Sequence, residues 1–475
     1  MERVEALAAA LQQLDPAPGS RVGICARNTV EHLLAMLATY AAGKVWVPLN
    51  PTNGRPELDR MVAATKPTLF VADESSLDRF TPTGAPIILG KVTGTMRELA
   101  SVQSLTSEWR GRRPEVVERG DDDAQIIKFS GGSTGAPKPV VQPQRCINAQ
   151  VEGILACFDL DASDVNLIAA PLTHGASCFV LPVLAVGGRH VLLEEPKPAA
   201  VLATIDAYGV TTMYAPPTLI YGMLGEARAS DGVGDGSRFS TLRHVIYSAA
   251  PMRAEQIREA QRVFGPVVET AYGQVEAPQI ITAMRAAELE REENLTSVGR
   301  ASPVATIGIM SASGELVPSS EVGEIVVRGP LVMSGYLDLP DMTSVALVDG
   351  WLHTGDLGLI DDRGYLYIRG RLRELINSGG FKIFPGDVEA VLAQHTAVAE
   401  CCVFGVENEK WGEAVHAAVR LTPGTVVDSA ELIAFVKREL GSVKAPKVIH
   451  FVPDLPRNAA GKVSRDAVRR LLSSQ

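Results

Sequence analysis

From residue 21 to about residue 193, short apolar runs alternate with amphipathic stretches. RVGICA leads into TVEHLLAMLATYAAG and then VWVPL; Leu33, Leu34, Leu37 and Tyr40 fall near one helical face, and Gly43 supplies the stop. This spacing predicts a strand, a helix and a second strand. The alternation returns at PTLFVAD, PIILG and RHVLLEE, in residues 198–207 and at TTMYAPP, which together predict an α/β fold with largely parallel strands. After Ser297 the texture changes to Gly-rich turns between short strands, GEIVVRG, GLIDD and GYLYIRG, the pattern of a small antiparallel β unit. A second change follows Arg371. The rest reads as a compact α+β domain, with a helix over about 386–394, an alternating strand over 414–421 and a helix after Asp428. That helix opens with Asp428 and Glu431 in capping-box spacing and turns Leu432, Phe435, Val436 and Leu440 to one side. The expected fold class is therefore α/β: a large N-terminal domain of α/β subdomains plus a small β unit over 1–370, a connection at 371–374, and a small α+β C-terminal domain over 375–475.

Length and composition agree with this division. A chain of 475 residues exceeds the size at which one core keeps growing, and 46% hydrophobic with 21% charged residues is an ordinary globular balance. The net charge of -10 argues against a nucleic-acid partner, so an anionic ligand needs a local cationic site. The six cysteines show no metal-ligand spacing and read as reduced thiols of a cytoplasmic protein. The N-terminus lacks the basic head and apolar run of a signal peptide. Residues 166–188 carry no formal charge, but Pro171, His174, Gly175, Ser177 and the Gly187-Gly188 pair break them into a strand, a loop and a helix rather than a transmembrane span.

The first chemical signal is the segment Ser130-Gly131-Gly132-Ser133-Thr134-Gly135-Ala136-Pro137-Lys138, which follows the likely strand DAQIIKF. Glycines let backbone N–H groups approach phosphate oxygens, hydroxyls donate further hydrogen bonds, and Lys138 adds charge. By composition alone a flexible surface loop reads the same way. It is not a Walker A loop, because Gly-x-x-x-x-Gly-Lys-Ser/Thr does not align and Pro137 precedes the lysine.

The string SGGSTGAPK resembles the signature loop of the adenylate-forming superfamily, which contains acyl- and aryl-CoA synthetases, nonribosomal peptide adenylation domains and luciferases. Further motifs follow in that family's order. Tyr272-Gly273-Gln274-Val275-Glu276 pairs an aromatic ring with a carboxylate four residues on, which alone is also the pattern of a buried tyrosine and a surface glutamate. The stretch is similar to the family's Tyr-Gly-x-Thr-Glu motif, and the resemblance implies that Tyr272 stacks on adenine and Glu276 binds Mg2+. Val275 departs from the pattern, standing where the family has a threonine whose hydroxyl touches the phosphate. Ser248-Ala249-Ala250-Pro251 resembles the small-residue turn lining the adenine and acyl pockets, and Gly329 to Tyr336 matches a string read as structural.

By the same resemblance Asp356, in His353-Thr354-Gly355-Asp356, holds the ribose with help from Arg371, and Lys462, in Pro456-Arg457-Asn458-Ala459-Ala460-Gly461-Lys462, meets the substrate carboxylate and the α-phosphate. The chemistry asks for such a cation where two anions are joined. His174, on its own a satisfied core histidine, matches a position between the acyl pocket and the thiol path. The resemblance further implies that residues 375–475 form a mobile lid rotating about Arg373. Rotation brings forward Gly379 and Gly380, with Trp411 flanking the thiol channel.

The implied reaction is ATP-dependent activation of a small carboxylic acid to an acyl-AMP, then thioester formation with coenzyme A, with ATP and Mg2+ as the other requirements. Loading of a carrier-protein phosphopantetheine is the alternative, since both acceptors end in the same thiol. A third reading, motivated by Val275 alone, is a nucleotide-binding regulator impaired in catalysis. The small residues Gly273, Ala249 and Ala250 leave space for an aromatic or medium-sized hydrophobic acid.

Overall fold

The structure is a computed structural model that describes residues 1–94, 99–130, 137–231, 237–457 and 463–473. Two seven-stranded sheets dominate the first three hundred residues. The first runs in the order Gly335–Tyr336, Lys138–Pro143, Ala124–Ser130, Val45–Leu49, Arg21–Cys25, Leu69–Ala72, Ile87–Leu89. The second runs Arg300–Ala301, Thr282–Met284, Val268–Tyr272, His244–Tyr247, Thr212–Ala215, Val165–Ile168, Arg189–Leu192. Each is parallel through its body, with Val22 opposite Trp46 in one and Val245 opposite Met213 in the other. Each turns antiparallel at one edge, which the sequence pattern did not separate from the rest. Strands covered on both faces explain why RVGIC and VWVPL are apolar at nearly every position instead of alternating.

The helix Val30–Ala41 is capped by Thr29, whose hydroxyl accepts from the His32 backbone N–H at 3.1 Å. Leu33, Leu34, Leu37 and Tyr40, which fall near one helical face, are only half-buried, while His32, Ala35, Met36, Ala38 and Thr39 are buried. The helix Glu2–Leu14 packs on this one, so it has no single wet side. The uncharged 166–188 stretch resolves into the strand Val165–Ile168, a 3-10 turn Gly175–Phe179 and the helix Val180–Ala185. Among the described residues no helix is long and apolar enough to cross a membrane.

A third sheet has the order Thr306–Met310, Gly323–Arg328, Trp351–Ile360, Leu347–Val348, with Leu366–Arg371 beside Trp351–Ile360. The fourth has the order Phe381–Ile383, Ile376–Ser378, Gly412–Leu421, Val398–Asn408, with Val448–Phe451 parallel to Gly412–Leu421. Its core, including Ile383, Val388, Leu392, Val403 and Val415, takes up Leu432 and Val436 from the helix Ser429–Lys444, while Phe435 and Leu440 of that helix pack partly buried against it. Asp428 caps this helix through the Glu431 N–H at 2.8 Å, as its spacing predicts. By compactness the chain divides into one unit of Met1–Ile307, Val326–Thr354 and Gly364–Leu366, and a second of Gly308–Ile325, Gly355–Arg363 and Tyr367–Gln475.

All six cysteines are free. Burial pushes the thiols of Cys25 and Cys402 up to about 12 and that of Cys157 to about 11, and it raises Cys146 further still.

Candidate active site

In the large unit, Ser130 and Lys138 stand opposite each other in an antiparallel ladder, closing the two ends of the Gly-rich segment. Gly131, Gly132, Ser133, Thr134 and Gly135 lie outside the described residues. The segment thus joins a strand to a strand, whereas a Walker A loop opens a helix, in keeping with the mismatch read from its sequence.

Tyr272 ends the strand Val268–Tyr272 and is buried, with its carbonyl accepting from the Ile281 N–H at 2.8 Å. The turn after it is packed backbone on backbone. A Cβ on Gly273 would lie 2.4 Å from the Gln279 nitrogen, so only glycine fits, and Gln279 itself is held at φ 65°. Gln274 donates through Nε2 to the Thr354 carbonyl at 3.0 Å, and the Val275 carbonyl accepts from Gln142 Nε2 at 2.7 Å. Ala249 follows the strand His244–Tyr247 at φ 73°, a left-handed conformation costly for a residue with a Cβ, and Ala250 and Pro251 lead on to the helix Ala254–Phe264. Such strain is commonly stored at ligand sites.

Glu276 and Lys138 meet through a residue that the sequence reading took as structural. The Tyr336 hydroxyl donates to Glu276 Oε1 at 3.0 Å, and the Lys138 ammonium lies 5.4 Å from the centre of the Tyr336 ring. Burial and the adjacent Glu276 carboxylate raise the Tyr336 pKa, so the phenol remains a donor. Tyr336 reaches this point because Gly335–Tyr336 pairs with the far strand Lys138–Pro143, a contact that no local pattern announces.

His174 caps the 3-10 turn Gly175–Phe179, and its Nδ1 lies 2.8 Å from the Thr173 hydroxyl. His174 is exposed at its surface, yet the protein packed around it, and then the nearby Lys128 cation, lower its pKa to about 4, which makes it a neutral imidazole near pH 7. Lys128 was also missed, since a lysine within DAQIIKF looks like a strand-face residue. It is buried, with Nζ donating to Ser177 Oγ at 2.8 Å and the His174 carbonyl at 3.2 Å and lying 5.4 Å from the Trp46 ring centre. Burial lowers its pKa.

The second unit carries the remaining residues. Asp356 is buried in the strand Trp351–Ile360, and its Oδ1 lies 2.9 Å from Arg371 Nε. Arg373 is exposed in the 3-10 turn Leu372–Glu374. Gly379 and Gly380, at φ 59° and 83°, form the two-residue turn of a hairpin in which Ser378 faces Phe381; positive φ at both positions is what makes the pair glycine. The Gly379 N–H donates to the Trp411 carbonyl at 2.7 Å, and a Cβ on Gly379 would come within 3.0 Å of the indole ring. The turn and Trp411 are therefore neighbours, with Trp411 and Phe381 exposed. Lys462 lies outside the described residues.

The donor set suits the groups that such an enzyme uses. Glu276 offers one hard carboxylate oxygen donor, the kind of ligand that suits Mg2+ when nucleotide phosphates provide the rest of its coordination. The buried Asp356 carboxylate, its charge balanced by Arg371, is an acceptor suited to vicinal hydroxyls.

Comparison with known proteins agrees. Residues 1–337 match the family model described as AMP-binding enzyme, and residues 387–462 match the AMP-binding enzyme C-terminal domain. The chain belongs to this family of adenylate-forming enzymes. The medium/long-chain fatty acid–CoA ligase FadD8 of Mycobacterium tuberculosis is 32% identical over 489 residues, covering 98% of this chain and 84% of that protein. A feruloyl-CoA synthase of Amycolatopsis is 32% identical over 472 residues, covering 98% and 92%. Among solved structures, the amide bond synthetase McbA of Marinactinospora thermotolerans superposes with a TM-score of 0.87 at 30% identity, covering 99% of this chain and 93% of that one.

Proposed function

We propose that the chain is an ATP-dependent acid–CoA ligase acting on an aromatic or medium-sized hydrophobic carboxylic acid. The convergence of Lys138, Tyr336 and Glu276 supports this reading most directly. A carboxylate lacks a leaving group. Attack of its oxygen on the α-phosphorus of ATP forms the acyl-adenylate and expels pyrophosphate, after which the CoA thiol attacks the acyl carbon and AMP departs. Glu276 would hold Mg2+, which would supply neutralisation of phosphate charge and so lower the cost of bringing two anions together.

The chain's residues supply position and charge. Ser130, Lys138 and the glycines and hydroxyls between them hold the phosphates. Tyr272 stacks on adenine beside the turn of Gly273, Gln274 and Val275, and Ala249, Ala250 and Pro251 leave room for the purine and the acid. Asp356 and Arg371 hold the ribose. Lys462 neutralises the junction of carboxylate and α-phosphate. The 375–475 lid turns about Arg373, within 371–374, between the half-reactions, and Gly379, Gly380 and Trp411 then flank the pantetheine arm. His174, neutral near pH 7, gates the path of the thiol without holding a charge against it. The fatty-acid and feruloyl specificities of the two relatives favour a hydrophobic acid.

Pyrophosphate release screened across a panel of carboxylic acids tests the first half-reaction. Free CoA, carrier proteins and simple amines offered in parallel test the second. Thioester with free CoA is expected; product with carrier protein or amine alone refutes the acceptor assignment. Lys462→Ala is expected to abolish acid-dependent pyrophosphate release, and near-normal release contradicts its role.

A further inference from the structure

Both ends of the segment that carries Lys462 are tied down by arginines. Upstream, Arg457 Nη2 lies 2.7 Å from each oxygen of Glu400, and Arg457 bridges antiparallel to Val463. Downstream, Arg465 opens the helix Arg465–Ser473 and uses all three sides of its guanidinium. Nη2 donates to Glu389 Oε1 and Nε to the Val403 carbonyl, each at 2.7 Å, while Nη1 pairs with Glu374. Glu389 also accepts from the Val403 N–H at 2.7 Å, so its charge is satisfied twice. Glu374 belongs to the turn Leu372–Glu374 next to Arg373.

An ion triad of this kind is a poor source of net stability. The Arg465 side chain is only 22% exposed, and withdrawing one cation and two carboxylates from water offsets most of their attraction. A planar guanidinium gripping two carboxylates and a carbonyl does fix direction, more firmly than a flexible ammonium would. What it fixes is one chain segment against another: the turn containing Arg373 on one side and, three residues beyond Lys462, the start of the last helix on the other.

We propose that Arg465 is a positioning residue that yokes the lysine-bearing segment to the 372–374 turn through Glu374, so that a change of backbone at the turn carries Lys462 with it. The proposal rests on the roles given above to Lys462 and Arg373. Its consequence is a selective one: breaking the yoke impairs the half-reaction that needs the lysine and spares the one that does not.

The half-reactions are measured separately in the full chain, as acid-dependent ATP–pyrophosphate exchange and as thioester formation from supplied acyl-adenylate, with melting temperature alongside. Arg465→Met is expected to lower the exchange kcat by about thirtyfold with the ATP KM within about twofold, and to leave thioester formation within about threefold. Arg465→Lys, which keeps the charge without the fork, is expected to recover part of the loss. Glu374→Gln, the variant that disturbs folding least, is expected to cost about fivefold in exchange alone, and the double variant to be no worse than Arg465→Met. Equal losses in both half-reactions, no loss in either, or losses that multiply in the double variant overturn the yoke. Lys462→Ala is assayed in parallel. If it abolishes exchange while the Arg465 and Glu374 variants leave exchange unchanged, the yoke fails and the functional reading stands; if it leaves exchange intact, the lysine's role fails and the yoke with it.

Discussion

In the large unit Lys138 and Glu276 carry opposite charges and converge on one tyrosine, yet form no ion pair with each other. In the small unit opposite charges close directly: Asp356 on Arg371, Arg457 on Glu400, and Arg465 on Glu374 and Glu389. A cation and a metal ligand meant for a nucleotide must not satisfy each other beforehand, and the Tyr336 ring keeps them apart while its hydroxyl orients the carboxylate. The ion pairs of the small unit do the opposite, holding its own segments in register. At Lys138 and Glu276 the charges are kept apart on a turn built on tight backbone packing. At Arg371, Arg457 and Arg465 they are spent on internal order.

Gly273→Ala attacks the backbone packing and is expected to have the largest effect. The new Cβ meets the Gln279 main chain, which cannot swing aside like a side chain, so the turn carrying Glu276 must shift. A displacement of that kind costs about a hundredfold in pyrophosphate exchange, with about 1–3 kcal/mol of stability lost to overpacking. An unchanged exchange rate would show that the turn tolerates displacement.

Acid is expected to weaken the large unit next. His32 is fully buried, and burial lowers its pKa from 6.5 to about 4 despite its bond to the Arg27 carbonyl. The unfolded chain takes up this proton below pH 6.5 and the folded one resists until about pH 4, so stability is intact above 6.5 and falls across that window. The loss amounts to about 3 kcal/mol at full extent. Denaturant titrations at pH 7 and pH 5 measure it, and His32→Phe should reduce the dependence, leaving the part due to His174 and His190, whose pKa burial likewise lowers to about 4.

The tyrosine spacer comes third. Tyr336→Leu removes both ring and hydroxyl, letting Lys138 and Glu276 approach, and is expected to cost about tenfold in exchange and to raise the Mg2+ requirement. Tyr336→Phe keeps the ring and should cost about threefold. Equal effects of the two variants would assign everything to the hydroxyl. The smallest change expected is a gain: Val275→Thr restores a hydroxyl at the phosphate-side position and should speed adenylation by a few fold, since one hydrogen bond is worth about 0.5–1.5 kcal/mol.

The parallel bodies of both large sheets were legible because strands covered on two faces must be apolar throughout, as RVGIC and VWVPL are. The Asp428 cap and the pieces of 166–188 were legible because caps and breakers act locally. Periodicity alone did not say which side of the helix Val30–Ala41 is buried, because that is decided by a distant partner, the helix Glu2–Leu14. For the candidate site, the Gly-rich strings could be singled out only through a family resemblance, since composition alone reads the same as a flexible loop. Tyr336, Lys128 and Arg465 were not singled out, for their meaning comes from partners 60, 49 and 91 positions away in the chain.

The free cysteines bear on what the enzyme must avoid. An acyl-adenylate acylates any thiolate it meets, and the acceptor competes with every sulfur in the protein that releases it. At pH 7 a thiol titrating at about 12, such as Cys25 or Cys402, is ionised in about one molecule in a hundred thousand. By keeping these two sulfurs buried and protonated, the fold removes them as rivals to the incoming thiol.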